Sequence, residues 1–375
     1  MRKVLFIINN LGGGGAEKVL INILNNIDYT QYQIDLLLLV EEGVYLDKVN
    51  KNVNLKTVIP RKKSNKLFHR LYRYCSYKLY KLHPRISASL LIGKKYDLEI
   101  SFLEGPSTIF LSHSPNKKSK KVAWIHADLV EHRTMSYEKE RKIYKVIDEI
   151  VCVSHQCKNK ILELYPEYNK KLKVIYNLID KDEILRLSNE KIDFTFDENT
   201  IVAVGRLTKV KRFDILIRAH RLLRNEGIKS KLVILGEGEL RNELEELVKN
   251  LHLEDTVYMP GFVENPYPYI KNGDIFAVSS DHEGFSLVVA EALTLEKAIV
   301  STNCTGPTEL LCNGEFGIII SRENEIALKN SLKELLLNKR LREEYERKAL
   351  KRSEILSKQQ VMNLIYKLID EEKAN

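Results

Sequence analysis

Ten short apolar runs, most of them rich in β-branched residues, punctuate the chain, and stretches with helical spacing separate them. The first five are Val4 to Ile8, Ile34 to Val40, Leu98 to Phe102, Val122 to Ile125 and Ile150 to Val153. The second five are Ile201 to Gly205, Leu232 to Leu235, Ile275 to Val278, Ala298 to Ser301 and Gly317 to Ile320. Runs this continuous leave no solvated face, so they predict parallel strands covered by helices on both sides. Strands alternating with helices in two series predict an α/β fold of two Rossmann-like domains. At 375 residues the chain is also too long for one comfortable core.

Between the two series, Asp180 to Asn199 is charged and polar, with little apolar periodicity beyond Ile184, Leu185 and Leu187. The domain boundary is therefore expected near residue 190. The tail from Glu323 onward reads as charged amphipathic helices.

Lys and Arg number 60 against 51 Asp and Glu, a net charge of +9, and 44% of the chain is hydrophobic. That composition excludes disorder, collagen-like and disulfide-scaffold classes. The charge is concentrated: Lys48 to Tyr96 holds fourteen Lys or Arg and no Asp or Glu, which leaves 9 − 14 = −5 for the rest. A uniformly basic nucleic-acid coat is excluded, and no nucleic-acid partner is expected. Five cysteines form no CxxC pair, and the start MRKVLFIINN lacks a signal-peptide pattern, so a reduced, cytoplasmic protein is expected. No apolar run reaches the ~18 residues of a membrane span.

Three loops carry candidate chemistry. NLGGGGAEK, Asn10 to Lys18, follows the first strand and opens a helix, so its glycines let the backbone approach a phosphate at a helix N-terminus. It misses the dinucleotide fingerprint, because Lys18 stands where the third Gly should be, and it lacks the GK[ST] of a P-loop. A hydride-transferring, dinucleotide-dependent reading is correspondingly weakened. VGRLTKVKRF, Val204 to Phe213, holds the equivalent position in the second series, where Arg206 and Lys211 suit capture of a diphosphate by a fork and a point charge. SDHEGFSLVVAEAL, Ser280 to Leu293, places Glu283 and Gly284 in a loop, a helix start near Ser286, and Glu291 inside the most apolar helix of the chain. A carboxylate there is costly unless hydroxyl or N–H groups meet it, and a ribose diol would be one such partner. His126 stands at a strand end, where open α/β sheets bind ligands. The only D-x-D, Asp180-Lys-Asp182, fits helix capping better than metal binding.

Together, the glycine loop, G-R-L-x4-K-R-F-D-x-L-I, L-G-E-G and E-G-F-S-x4-E resemble, in order and spacing, the GT-B glycosyltransferases of family four over nearly the whole chain. The resemblance implies two Rossmann-like domains with parallel sheets facing a central cleft: 1–190 on the acceptor side, 191–355 binding a nucleotide-sugar donor, and 356–375 as a helix returning to the first. It implies that Arg206 and Lys211 grip the donor diphosphate and that Glu283 approaches the transferred sugar. The N–H groups of Gly284, Phe285 and Ser286 would then meet its hydroxyls or phosphate, and Glu291 the ribose. Gly236, Glu237 and Phe262 would wall the base, His126 would stand beside the sugar, and Gly14 and Gly15 would face the phosphates and acceptor. The implied chemistry is substitution at an anomeric carbon with retention. The oxocarbenium-like transition state loads negative charge on the leaving phosphate, which fixed cations stabilise without a metal or cofactor. A GT-B relative that epimerises or cleaves nucleotide sugars would share the diphosphate grip and needs no acceptor.

Lys66 to Leu82, KLFHRLYRYCSYKLYKL, is basic and amphipathic. On a helical wheel Phe68, Leu71, Tyr72, Cys75, Leu79 and Leu82 fall within about 100° of each other, opposite Lys66, Arg70, Arg73, Lys78 and Lys81. The pattern predicts attachment to an anionic membrane surface, with those five cations as the contact. Combined with the resemblance, it implies a lipid-linked glycan acceptor at the cytoplasmic membrane face, in surface-polysaccharide assembly such as capsule or O-antigen.

Overall fold

The computed structural model describes residues 1–61, 67–93, 95–126, 135–196 and 199–373, with 67–69 described in their backbone alone. The chain forms two compact units, Met1–Leu178 with Gln359–Asn375, and Ile179–Lys358. In the first, strands β1 Arg2–Ile8, β2 Tyr32–Val40, β3 Asn54–Ile59, β4 Leu98–Ser101, β5 Lys120–Ile125, β6 Glu149–Cys152 and β7 Leu172–Val174 make one sheet. Its order is β3-β2-β1-β4-β5-β6-β7, and every neighbouring pair is parallel. In the second, β8 Asn199–Val204, β9 Ser230–Leu235, β10 Val257–Gly261, β11 Ile275–Val278, β12 Ala298–Thr302 and β13 Ile318–Ile320 follow the same plan, β10-β9-β8-β11-β12-β13.

Both orders are the doubly wound Rossmann arrangement, in which the chain runs outward from one central strand and then returns to the other side of it. The reversal falls between β1 and β4 in one sheet and between β8 and β11 in the other. Each sheet buries its inner strands completely: Val4 to Ile8 in one and Leu232 to Ile234 in the other are fully inaccessible. Trp124 sits in the first core, its ring 4.7 Å from Phe102.

The unit boundary falls at Leu178, ahead of the expected 190. The reason is packing of helix Lys181–Leu187, whose Ile184 is buried. Asn265 donates its Nδ2 to Leu187 O at 2.9 Å, and Lys271 donates to Asn189 Oδ1 at 2.6 Å. Asp180 caps this helix by accepting from Glu183 N at 3.3 Å, and its other oxygen pairs with Lys358 at 3.0 Å. Capping is thus the structural role of Asp180, the first residue of the D-x-D. Among the described residues no group of three or more His, Cys, Asp or Glu is placed to hold a metal ion, and no helix is long and apolar enough to cross a membrane.

Helix Phe213–Asn225 carries a fully buried His220, whose Nε2 shares a hydrogen bond with Thr256 Oγ1 at 3.2 Å. Burial pushes its pKa down to about 3. The unfolded chain protonates this imidazole below about pH 6.5, while the folded chain resists until near pH 3, so stability is full above 6.5 and falls with pH between those values. Urea unfolding should lose up to ~1.4 kcal/mol per pH unit from this residue across that window, and His220→Gln should remove that part of the slope.

Candidate active site

In the second unit the loops after β8 and β11 lie on either side of the strand-order reversal, where open α/β sheets hold ligands. The first runs from Gly205 through a short 3-10 turn, Lys209–Lys211, into helix Phe213–Asn225. A Cβ at Gly205 would lie 3.3 Å from Lys211 Cε, so the lysine stem crosses the strand end closely. The second loop runs from Ser279 to Ser286 and enters helix Leu287–Thr294.

The two loops are joined at several points. Asp281 N donates to Val210 O at 2.8 Å, and Ser279 Oγ donates to Lys211 O at 2.7 Å. Lys211 Nζ forms an ion pair with Glu283 Oε1, to which Ser280 Oγ also donates at 3.0 Å. Lys211 and Glu283 are thereby brought together. Arg206 is exposed, and its guanidinium has no ion-pair partner among the described residues. The neighbouring Arg212 is committed to structure: bonds to Asp214, with Asp281 and Glu323 nearby, raise its pKa above the usual guanidinium value.

Ser286 marks the entry to the helix with a left-handed backbone, φ 65°. A non-glycine residue there carries strain of about 1–3 kcal/mol, which gathers at ligand-binding positions. Its Oγ is buried and has no hydrogen-bond partner among the described residues. Glu291 is only 3% exposed, so it does not face solvent, and Tyr267 donates its hydroxyl to Glu291 Oε1 at 3.2 Å. Phe285 is buried in the core, so its ring is structural. The loop is braced from the end of β12: Thr302 Oγ1 donates to Ser280 O, and Gly306 N donates to Glu283 O at 2.8 Å. Gly306 is required there, because a Cβ would lie 2.4 Å from the Phe285 backbone. Beside this brace, burial pushes the Cys304 thiol up to about 12, which makes it inert at neutral pH.

Gly236 has φ 146°, and a Cβ there would fall 1.9 Å from Gly205 O, so the LGEGE turn lies directly against the Arg206 loop. Glu237 is held by Arg241 at 2.7 Å, with its O accepting from Leu207 N at 2.9 Å. Phe262, directly after β10, is 62% exposed and presents an open aromatic face.

In the first unit, Gly14 is the N-cap of helix Gly15–Asn26, and Gly15 is exposed at its start. The glycine loop is anchored one residue upstream, where Leu11 N donates to Glu42 O at 2.9 Å and Tyr45 N to Leu11 O at 3.2 Å. His126 follows β5 directly, and its backbone N donates to Glu104 Oε2 at 2.9 Å. Its ring packs on Phe102 at 4.9 Å, its Nε2 is buried with no hydrogen-bond partner among the described residues, and burial lowers its pKa to about 3. The imidazole is therefore neutral at working pH and can accept or donate one hydrogen bond to a ligand hydroxyl.

Four groups in this arrangement escaped sequence reasoning: Ser280, Tyr267, Glu104 and the Thr302-to-Gly306 brace. Tyr267, Glu104 and the brace act across tertiary contacts between separate loops or helices, whereas Ser280 reaches Glu283 three residues along its own loop. Of the three tertiary groups only Gly306 carries a local signal, in the T-G-P start of helix Thr305–Leu310.

Of the five cations expected at a membrane, Lys66 lies outside the described residues. Helix Leu67–Leu82 holds the other four, and Arg73 is half-buried rather than on the outer face. The side expected to be apolar is largely turned to solvent, with Leu71, Tyr72, Cys75 and Leu82 exposed.

Two doubly wound sheets of this order, with cations, a carboxylate and a strained helix entry at one reversal, are a GT-B type of fold. Anabaena HepE, solved in complex with UDP, superimposes with a TM-score of 0.78 at 19% identity, covering 98% of this chain and 99% of that one. The family Glycosyl transferases group 1 matches residues 187–352. A Campylobacter jejuni N-acetylgalactosamine-N,N'-diacetylbacillosaminyl-diphospho-undecaprenol 4-alpha-N-acetylgalactosaminyltransferase is 30% identical over 375 residues, 96% of each chain. A second C. jejuni α-1,4-N-acetyl-D-galactosaminyltransferase, named for a GalNAc-containing undecaprenol-diphosphate glycan, is 25% identical over 100% of this chain and 99% of that one. This chain belongs to the group 1 glycosyltransferases.

Proposed function

We propose that the enzyme transfers a hexose or N-acetylhexosamine, with retention, from a UDP-sugar to a lipid-linked glycan during surface-polysaccharide assembly. On this reading it works at the cytoplasmic face of the membrane. The observation that carries the proposal is the Lys211–Glu283 pair, formed where the loop that also bears the exposed Arg206 meets the loop that ends at Ser286, whose hydroxyl has no hydrogen-bond partner among the described residues. The names of the two C. jejuni relatives support a lipid-linked acceptor, and UDP in HepE supports a uridine donor.

The chain's own groups supply the chemistry. As the anomeric C–O bond breaks, charge builds on the leaving diphosphate, and the Arg206 fork and Lys211 ammonium meet it without a metal. Glu283, steadied by Ser280, holds Lys211 in place and accepts hydrogen bonds from the sugar. Ser286 Oγ meets the phosphate or sugar, Glu291 the ribose, and Gly236, Glu237 and Phe262 the base. The neutral His126 bonds the sugar, while Gly14 and Gly15 face phosphate and acceptor.

Thermal shift across a panel of UDP- and GDP-sugars should single out one UDP-sugar, and turnover onto an undecaprenyl-diphosphate glycan should survive EDTA and give an α-linked product from an α-donor. A shift with GDP-sugars alone, or donor conversion without an acceptor as the main reaction, would refute it.

A further inference from the structure

Helix Leu67–Leu82 packs inward through Tyr80, whose ring lies 5.9 Å from Phe110. Opposite Tyr80, Leu71, Tyr74, Lys78 and Leu82 follow one another at spacings of three or four residues, along one outward stripe. Leu82 is 63% exposed. The next helix, Pro84–Leu91, buries Ser87 and Ala88 and turns Ile86 and Leu90 outward, Leu90 at 71% exposure. Large aliphatic side chains presented this way on two successive helices are covered by none of the described residues. Around them, Lys78 Nζ lies 5.4 Å over the Tyr74 ring, and Lys81 Nζ lies 5.5 Å over the Tyr77 ring and donates to its hydroxyl at 3.1 Å.

We propose that this two-helix face inserts into an anionic bilayer. Leu71, Leu82, Ile86 and Leu90 are the apolar anchors, and the Lys78–Tyr74 and Lys81–Tyr77 pairs sit at the level of the lipid phosphates. Charge selects this occupant. The segment from Lys48 to Tyr96 carries fourteen cations and no acid, so a second copy docked face to face would oppose like charges. A nucleic-acid backbone has no use for exposed leucine and isoleucine. Tyrosine rings and lysine stems, by contrast, are suited to the boundary between headgroup and acyl chain. The proposal rests on the reading of a lipid-linked acceptor, and it extends that reading from cationic attraction to apolar insertion, with a second helix that the sequence pattern did not implicate.

Flotation with phosphatidylglycerol–phosphatidylcholine vesicles should carry the parent protein, and Leu71→Ser/Leu82→Ser/Ile86→Ser/Leu90→Ser should lower the partition at least tenfold while thermal stabilisation by UDP-sugar persists. Equal flotation of parent and variant overturns the proposal. So does concentration-dependent self-association that the same substitutions abolish without any parental flotation. In a second test, Leu82→Trp should shift its emission to the blue on such vesicles and be quenched by brominated acyl chains, against the fully buried Trp124 as background; an unshifted, unquenched signal overturns insertion. Insertion without sugar transfer to a lipid-linked acceptor refutes the enzymatic reading alone. Transfer in detergent by a protein whose partition ignores the four substitutions refutes insertion alone.

Discussion

Lys211→Ala should lower kcat by ~10²–10³-fold, the usual cost of losing one preorganised group that meets developing negative charge. The stem of Lys211 lies across Gly205 and its ammonium is paired with Glu283, so the substitution removes the cation and leaves Glu283 with Ser280 as its remaining side-chain donor. Glu283→Ala should cost a comparable factor for a different reason. Lys211 then loses the carboxylate that positions it, and the sugar loses an acceptor. Because the two act as one unit, the double variant should fall little further than either single one. Both side chains are at the rim of the loops rather than in the core, so melting temperatures should stay near the parent value. Steady-state kinetics with the preferred UDP-sugar, beside thermal melts, checks this; near-parental turnover in both variants would remove the pair from the chemistry.

The same pair shows what was legible in the sequence. Arg206 and Lys211 read as equivalent diphosphate contacts, since both are cations after the first strand of a Rossmann-like unit. The fold separates them: Lys211 is tied to Glu283, which is 72 residues away, whereas Arg206 stays open. No local pattern encodes that pairing, because it arises only when the loops after β8 and β11 meet at the reversal. Glu291 was flagged by its cost in an apolar helix, yet its partner Tyr267 sits 24 residues earlier on helix Tyr267–Asn272.

Strands follow a similar logic. The ten runs visible in the sequence account for all inner strands and for β13. The three that escaped, β3, β7 and β10, are all edge strands. An edge strand need not be apolar on both faces, and it tolerates charge and proline. Hence β3 reads NLKTVI with its first residues exposed, β10 contains Pro260, and β7 is only LKV. For helix Leu67–Leu82 the amphipathic pattern was clear, but the wheel does not say which side the protein covers. Tyr80 decides that, by packing against Phe110.

Removing residues 359–375 should unfold the first unit while sparing the second, although the deletion is at the far end of the sequence. From Gln359 onward, helix Lys358–Asp370 belongs to the first unit, and it buries Val361, Met362, Ile365, Leu368 and Ile369. At ~1.5–3 kcal/mol for each buried side chain this is about 7–15 kcal/mol, comparable to the entire stability of a domain. Polar contacts point the same way. Tyr366 stacks on Tyr32 with centroids 5.6 Å apart, and the Tyr32 hydroxyl donates to Asp370 at 3.0 Å. Lys120, 2% exposed, pairs with Glu149 and Glu371 at 3.1 Å each, and the bond from Lys173, assisted by Lys120, lowers the Glu371 pKa to about 2. Truncation would leave Lys120 buried with one carboxylate instead of two, which adds to the loss. Hydrogen exchange read by peptide should therefore show loss of protection across β1 to β7 while peptides from Ile179 to Leu356 remain protected. UDP-sugar should still raise the melting temperature of the surviving unit, and transfer to acceptor should vanish. Protection of the first sheet equal to that of the full chain would show that the helix is dispensable and that the apolar area it covers contributes far less than its burial implies.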